Sequence, residues 1–221
     1  MSFHLIDLNN WARKPYYDYY MNLMPCRYNI TSNLNVESFY KELKRRGLKF
    51  YPAFLYVLSR ALNQQSLELR MAHDQQGSLG YWDTLIPSYA IFHNDDHTFG
   101  ELWTDYNEDF AIFYQNAFSD METYKSVKKI KAKPERPANF FRFIPIPWIS
   151  FTSYNIDATR KSDDLIPTFI TGKFFEQNGD RMMPFCVYIH HAVADGYHTG
   201  KLINDLQGLM DNYADWMNFS L

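Results

Sequence analysis

The chain has 221 residues, is 46% apolar and carries a formal net charge of −3, which suits one sizeable domain over residues 1–221 built on its own core. That charge leaves no electrostatic footprint for nucleic acid or an anionic membrane surface, and no apolar run approaches membrane-spanning length. Two isolated cysteines, Cys26 and Cys186, with no Cys-x-x-Cys and no basic, apolar leader at the N-terminus argue against a disulfide framework or zinc ribbon and for a soluble cytoplasmic protein.

Phe3 to Leu8 reads as a short edge strand, and Pro15, at a first helical position, starts a short Tyr-rich helix through Tyr16, Tyr17, Tyr19 and Tyr20 to Met24. Tyr28 to Asn33 is a strand. Asn35 then caps a helix through Phe39, Leu43 and Arg46 that stops at Gly47. After Lys49-Phe50-Tyr51-Pro52 comes a second helix whose buried stripe is Phe54, Leu55, Leu58, Ala61 and Leu62. Leu67–Met71, Gly80–Trp82, Tyr89–His93 and Thr98–Trp103 read as strands of an antiparallel meander. His93-Asn-Asp-Asp-His97 has metal-like spacing, but Asn-Asp-Asp is also turn chemistry between two strands, and no metal is expected there.

Asp109 to about Lys131 is a helix with Phe110, Phe113, Ala117, Met121, Tyr124 and Val127 on one side, and its lysine-rich end suits the helix dipole. Lys133-Pro-Glu-Arg-Pro137 is a charged loop rather than a domain boundary. Strands are expected at Trp148–Tyr154 and Pro167–Phe175, and Asn178-Gly179 is a hairpin turn into the strand that ends at the most informative stretch.

That stretch is Val187-Tyr-Ile-His-His-Ala-Val-Ala-Asp-Gly196. Phe185 to Ile189 is a strand, whereas Leu202, Leu206, Leu209, Tyr213 and Trp216 recur at helical steps after Gly196. His190 and His191 lie at the strand end with side chains on opposite faces, so one can serve a given site. Asp195 is well placed as a helix N-cap and Gly196 as a turn. A neutral imidazole is a general base near neutral pH. A metal hydrolase built on His191, Asp195 and His198 is disfavoured, because a strand end and a helix start fix no ligand geometry. The chain lacks Gly-x-Gly-x-x-Gly, a P-loop and Gly-x-Ser-x-Gly, so nucleotide-binding folds and serine hydrolases lose their usual signals.

His-His-x-x-x-Asp-Gly, together with Asn10-Trp11-Ala-Arg13-Lys, Met24-Pro-Cys-Arg-Tyr28, Lys49-Phe-Tyr-Pro52, Pro147-Trp148-Ile-Ser-Phe151 and Gly172-Lys173, resembles the chloramphenicol acetyltransferases within the wider coenzyme A-dependent acyltransferases. The resemblance implies an α/β two-layer sandwich with a mixed sheet and helices packed on it, and a homotrimer with active sites between subunits. It implies His191 as general base and an ion pair of Asp195 with Arg13. An acceptor pocket of Tyr19, Tyr20, Met24, Cys26 and Tyr28 would face the histidine of a neighbouring subunit. Lys49, Trp148, Lys173 and Phe174 would lie near coenzyme A, although Lys49 also reads as a solvated lysine. The partners implied are acetyl-coenzyme A, as co-substrate rather than resident cofactor, and an apolar alcohol such as chloramphenicol.

Two departures from the family pattern stand out. Ile144 occupies the place of a serine whose hydroxyl donates to the oxyanion, and Ile170 that of a threonine which holds a water at the tetrahedral intermediate. Isoleucine donates no hydrogen bond. The alternatives are therefore an acetyltransferase with another acceptor or weak turnover of chloramphenicol, or a non-catalytic protein that binds a small molecule or coenzyme A.

Overall fold

The computed structural model describes residues 2–65, 67–155 and 164–218. Its strands are β1 (Phe3–Leu5), β2 (Arg27–Asn35), β3 (Met71–His73), β4 (Leu79–Trp82), β5 (Ile86–His93), β6 (Thr98–Trp103), β7 (Phe140–Ile146), β8 (Thr168–Gly172), β9 (Phe175–Gln177) and β10 (Asp180–His190). Its helices are α1 (Lys14–Asp18), α2 (Glu37–Arg45), α3 (Phe50–Gln65), α4 (Phe110–Tyr124) and α5 (Gly196–Asp211). The seven-stranded sheet runs β2-β10-β8-β7-β5-β6, with β9 on β10. It is mixed: β7 pairs in parallel with both β5 and β8, and the other pairings are antiparallel.

Pleat alternation decides what each face of the sheet does. Phe185, Val187 and Ile189 of β10 join Phe169 of β8 and Phe141 and Phe143 of β7 in the main core with α2, α3, α4 and α5. The intervening Cys186 and Tyr188 form a smaller cluster with Ile170 on the other face, covered by Ile144, Ile146, Phe151 and Tyr154. α3 carries most of the burial. Every residue from Pro52 to Ser59 is buried, so it is enclosed on more sides than the single stripe read from its periodicity.

Several elements differ from expectation for physical reasons. Leu67–Met71 is not a strand: Glu68–Arg70 is a 3-10 turn that feeds β3. The strands of that region do not form one meander. β1, β4 and β3 make a separate three-stranded sheet, while β5 and β6 form a hairpin in the large one. The cap of α2 sits one residue on, at Val36, but the Asn35 side chain still accepts from the Glu37 N–H at 3.0 Å. α4 begins at an Asp109 cap whose carboxylate accepts from the Ile112 N–H, yet it stops at Tyr124. The lysine-rich segment beyond it crosses β6 instead, where the Glu101 N–H donates to the Ile130 carbonyl and the Ala132 N–H to the Glu101 carbonyl. α5 ends at Asp211, which leaves Tyr213 in a 3-10 turn and Trp216 beyond it, packed on Phe39 and Phe110.

Trp148–Tyr154 is not a strand either, and β7 was not anticipated. Phe140–Ile146 forms that strand, and residues 147–155 leave the sheet and cross the end of β8, where the Lys173 N–H donates to the Ile149 carbonyl at 2.7 Å. Gly172 makes the crossing feasible, since a Cβ there would stand 3.0 Å from the Phe151 ring. The Asn178-Gly179 turn has both residues at positive φ, 54° and 86°, as a two-residue hairpin of right-handed twist requires.

Gly80 of β4 passes beneath β1, and a Cβ there would lie 2.5 Å from the His4 carbonyl oxygen. Gly80→Ala should therefore force β1 off β4 and cost about 1–3 kcal/mol. In thermal unfolding this should lower Tm by several degrees, whereas an unchanged Tm would mean β1 contributes little.

Candidate active site

A slot opens through the large sheet. β5 and β7 pair only over Ile86–Tyr89 and Phe140–Phe143, yet β5 stays with β6 to His93 and β7 stays with β8 to Ile146. Beyond Tyr89 and Phe143 the two strands therefore part. Two local features make the parting affordable. The Arg142 N–H donates to the Pro167 carbonyl next to β8, so the alternating groups of Phe143 and Pro145 point toward β5, and Pro145 has no N–H to strand in the gap. On the opposite lip, the Ala90 carbonyl accepts from the Tyr51 hydroxyl at 2.7 Å.

Around this split is a cleft of about 1000 Å³. Residues of both sheet faces line it: Tyr51, Tyr89 and Phe143 from the helix side, and Ser88, Ala90, Phe99, Glu101, Arg142 and Ile144 from the other. Trp148, Lys173 and Phe174 line it as well. Trp148 stands at its mouth, 55% exposed and edge-on to Phe92 at 4.6 Å. Phe174 is half-buried against Phe50 and Tyr40. Lys49 is exposed at the start of α3, next to the lining residue Phe50, and its backbone N–H donates to the Tyr114 hydroxyl. Ile144 lines the cleft and is the register partner of the fully buried Ile170.

His191 lies elsewhere on the chain, just past the end of β10, and does not line this cleft. Its backbone N–H donates to the Cys26 carbonyl at 3.0 Å. Its ring stacks on Tyr20, with centroids 3.9 Å apart and planes within 5°, and Tyr28 leans on it at 5.0 Å. The Tyr28 hydroxyl bonds Thr199 at 2.6 Å, and burial pushes its pKa up to about 12, so the phenol stays neutral beside the imidazole. The Nδ1 atom of His191 is buried and has no hydrogen-bond partner among the described residues. Two flat rings thus fix the imidazole plane without engaging that nitrogen.

Tyr20 and Tyr28, expected on a wall facing the histidine of a neighbouring subunit, lie against His191 of their own chain. The reason is local: β2 pairs directly with β10, so Tyr28 is the register partner of Ile189 and Arg27 that of His190. Tyr19 and Met24 are exposed and touch each other through the Tyr19 hydroxyl and the Met24 sulfur. They belong to the π-helical turn Tyr19–Leu23 and its end. Cys26 is half-buried, and burial raises its thiol pKa. His190 is buried, and its Nδ1 accepts from the Ala192 N–H, so it braces the turn.

Asp195 is the hub of the turn. Its Oδ1 caps α5 by accepting from the Tyr197 N–H and lies 2.8 Å from His198 Nδ1, and its Oδ2 receives Arg13 at 2.8 Å. Burial alone would raise its pKa, but the Arg13 hydrogen bond and the His198 ring outweigh it and hold the group at about 2. His198 also lies 3.7 Å from Glu68. His93, by contrast, is a buried residue beside the Lys125 carbonyl, and His97 sits in the hairpin turn at positive φ.

The site thus has two separate parts, a stacked histidine at a strand-to-helix turn fixed by an arginine–carboxylate pair, and a cleft of about 1000 Å³ through the sheet. A family model described as chloramphenicol acetyltransferase matches residues 1–207. Curated proteins named chloramphenicol acetyltransferase from Clostridium perfringens and Clostridium butyricum are 41% and 39% identical, each over 98% of this chain and 99% of its own length. A solved structure of a chloramphenicol acetyltransferase superposes with a TM-score of 0.84 at 23% identity, over 95% of this chain and all of that one. The dihydrolipoamide acetyltransferase of Azotobacter vinelandii shares the fold more distantly, with a TM-score of 0.63 over 86% of this chain and 84% of that one. The chain belongs to the chloramphenicol acetyltransferase family. It is an acyltransferase.

Among the described residues no helix is long and apolar enough to cross a membrane.

Proposed function

We propose that the chain transfers the acetyl group of acetyl-coenzyme A to a hydroxyl of chloramphenicol or a similar alcohol, with no acyl-enzyme. His191 removes the hydroxyl proton as the oxygen attacks the thioester carbonyl. The tetrahedral intermediate then collapses, the carbon–sulfur bond breaks, and the imidazolium returns the proton to the leaving thiolate. Asp195 and Arg13 hold the turn that carries His191. Tyr19, Tyr20, Met24, Cys26 and Tyr28 wall the acceptor near the base, while Trp148, Lys173, Phe174 and Lys49 attend coenzyme A along the slot. The observation that carries this reading is the stacked His191 beside a fixed Arg13–Asp195 pair, in a chain that also has a slot through its sheet.

Base and slot come from different copies of the chain in an assembly, a trimer by family resemblance. Support comes from the absence of His191 from the cleft of its own chain and from exposed apolar side chains around both parts. Leu23, Met24 and Tyr197 are exposed on the segments that precede β2 and open α5, Phe99 and Trp148 are exposed where they line the cleft, and Ile149 is exposed next to Trp148. Co-expressing His191→Ala with a cleft variant, Phe143→Arg, tests it. Mixed assemblies should regain a fraction of wild-type acetyl transfer that neither variant shows alone. No recovery, with assembly intact in sedimentation, would place base and slot in one chain.

The apolar pair Ile144–Ile170 favours slow turnover or another acceptor. One oxyanion donor is worth about a hundred- to a thousandfold in rate. Ile144→Ser, which puts a hydroxyl into the cleft, should raise kcat by about tenfold or more in thiol-release assays. An unchanged kcat would mean that another group already serves the oxyanion, and ligand affinity without any turnover would favour the non-catalytic reading.

A further inference from the structure

Polar side chains line the cleft at several points, Glu122, Lys125, Thr171 and Lys173 among them, and Ser88, Glu101 and Arg142 form one polar edge on β5, β6 and β7. Ser88 and Ala90 share a face of β5, and Glu101 of β6 is the register partner of Ala90, so Ser88 and Glu101 are diagonal neighbours on the face away from the helices. Arg136 locks them together. Its Nη1 donates to the Ser88 hydroxyl oxygen at 2.9 Å and to Glu101 Oε2 at 3.1 Å, while its guanidinium lies 3.6 Å above the Phe140 ring. Arg142 is matched by Asp164 at 2.8 Å.

Two capacities are left over. Ser88 is 4% exposed, its oxygen accepts from Arg136, and no described residue takes its hydroxyl proton. Glu101 has only one oxygen engaged by Arg136, and its side chain is 36% exposed. A donor thus stands beside an acceptor. Both sit in an ion-pair cluster of Arg136 with Glu101 and of Arg142 with Asp164, which Arg27 also approaches at 3.9 Å. What is left over is not a bare charge but one hydroxyl proton and one oxygen of an already paired carboxylate. A carboxamide matches the two, because its carbonyl takes the Ser88 proton and its N–H bonds the free Glu101 oxygen.

We propose that Ser88 and Glu101 are specificity-determining residues that recognise a neutral carboxamide on the acceptor, away from the hydroxyl that is acetylated. This rests on the acetyl-transfer reading above. It makes the cleft selective for amide-bearing alcohols over equally apolar alcohols that lack the amide.

The test compares chloramphenicol, which carries an amide beside its hydroxyls, with phenylpropanediol, which keeps the hydroxyls and lacks the amide. Glu101→Ala and Ser88→Ala should each raise KM roughly tenfold or more for chloramphenicol relative to phenylpropanediol. KM for acetyl-coenzyme A serves as the internal control, and Glu101→Gln, which keeps an amide oxygen, should be milder than Glu101→Ala. A loss shared equally by both alcohols would reveal a merely structural role and overturn the proposal, as would no change for either. If wild-type protein acetylates neither alcohol, the acetyl-transfer reading fails, and calorimetry with chloramphenicol still decides this one. Weaker binding by Glu101→Ala upholds it, whereas equal affinity, or no binding by wild type, overturns it.

Discussion

Replacing His191 with glutamine should lower kcat for acetyl transfer by about a thousandfold or more while leaving KM for acetyl-coenzyme A within a factor of about three. General-base catalysis by a positioned imidazole is worth roughly a hundred- to ten-thousandfold. Here the ring is held in one plane by Tyr20 at 3.9 Å and by Tyr28. Glutamine keeps a polar side chain of similar reach and cannot take the proton. Thiol release from acetyl-coenzyme A, measured for both proteins at saturating acceptor, reads the effect. A loss smaller than tenfold would remove His191 as the base. Tyr20→Leu offers a finer reading, because it takes away the stack and leaves the nitrogen in place. Its kcat should fall less than that of His191→Gln.

Breaking the Arg13–Asp195 pair should have the second largest effect, on stability and activity together. Asp195→Ala removes an N-cap worth about 1 kcal/mol and strands the partly buried Arg13, which adds roughly 1–2 kcal/mol. A total of about 2–3 kcal/mol lowers Tm by about 4–12 °C in a chain of this size. Asp195→Asn keeps the cap and gives up the ion pair, so its Tm should fall less, while its kcat falls with that of Arg13→Ala. In a double-mutant cycle the two substitutions should prove strongly non-additive. Additive losses would mean that the pair does not act as a unit.

The same pair sets an acid limit. Asp195 has a folded pKa of about 2, below its ordinary value, because Arg13 and His198 favour its charged form more than burial opposes it. The folded state therefore binds this proton less readily than the unfolded chain, which has a carboxylate pKa of about 3.9. The contribution of Asp195 to stability is complete above about pH 4 and is lost as the pH falls toward 2. Urea unfolding of wild type and Asp195→Asn should show a stability gap at neutral pH that narrows across this acid range. A gap independent of pH would exclude the ion pair as its source.

Much of this was legible in the residues, and the limits have physical causes. α5 and its cap could be read because Asp195 and Gly196 punctuate a change from strand to helical periodicity. The β9–β10 hairpin could be read because Asn178-Gly179 supplies two positive-φ residues in a row. β7 could not. Its Ile-Pro-Ile-Pro sequence looks like an interruption, and only the parted sheet explains why a strand tolerates Pro145 at that position. The Lys125–Lys131 segment misled in the opposite direction, since its composition suits a helix end while backbone bonds to β6 draw it away. At the site, the motif pointed to His191, Asp195 and Arg13, but nothing local marked Ser88, Glu101 or Arg142. They lie on separate strands, and only the strand order brings them to one wall.

The slot has a consequence for how the cleft can be tuned. Successive residues of β5 lean to opposite sides of the opening, with Ser88, Ala90 and Phe92 on one side and Tyr89 and Ile91 on the other. A single strand thus works like a two-sided keyboard. Substitutions at every second position can reshape one compartment while the intervening residues keep the other compartment's contour. Drift along one register of β5 can then proceed without disturbing the contour that the other register presents.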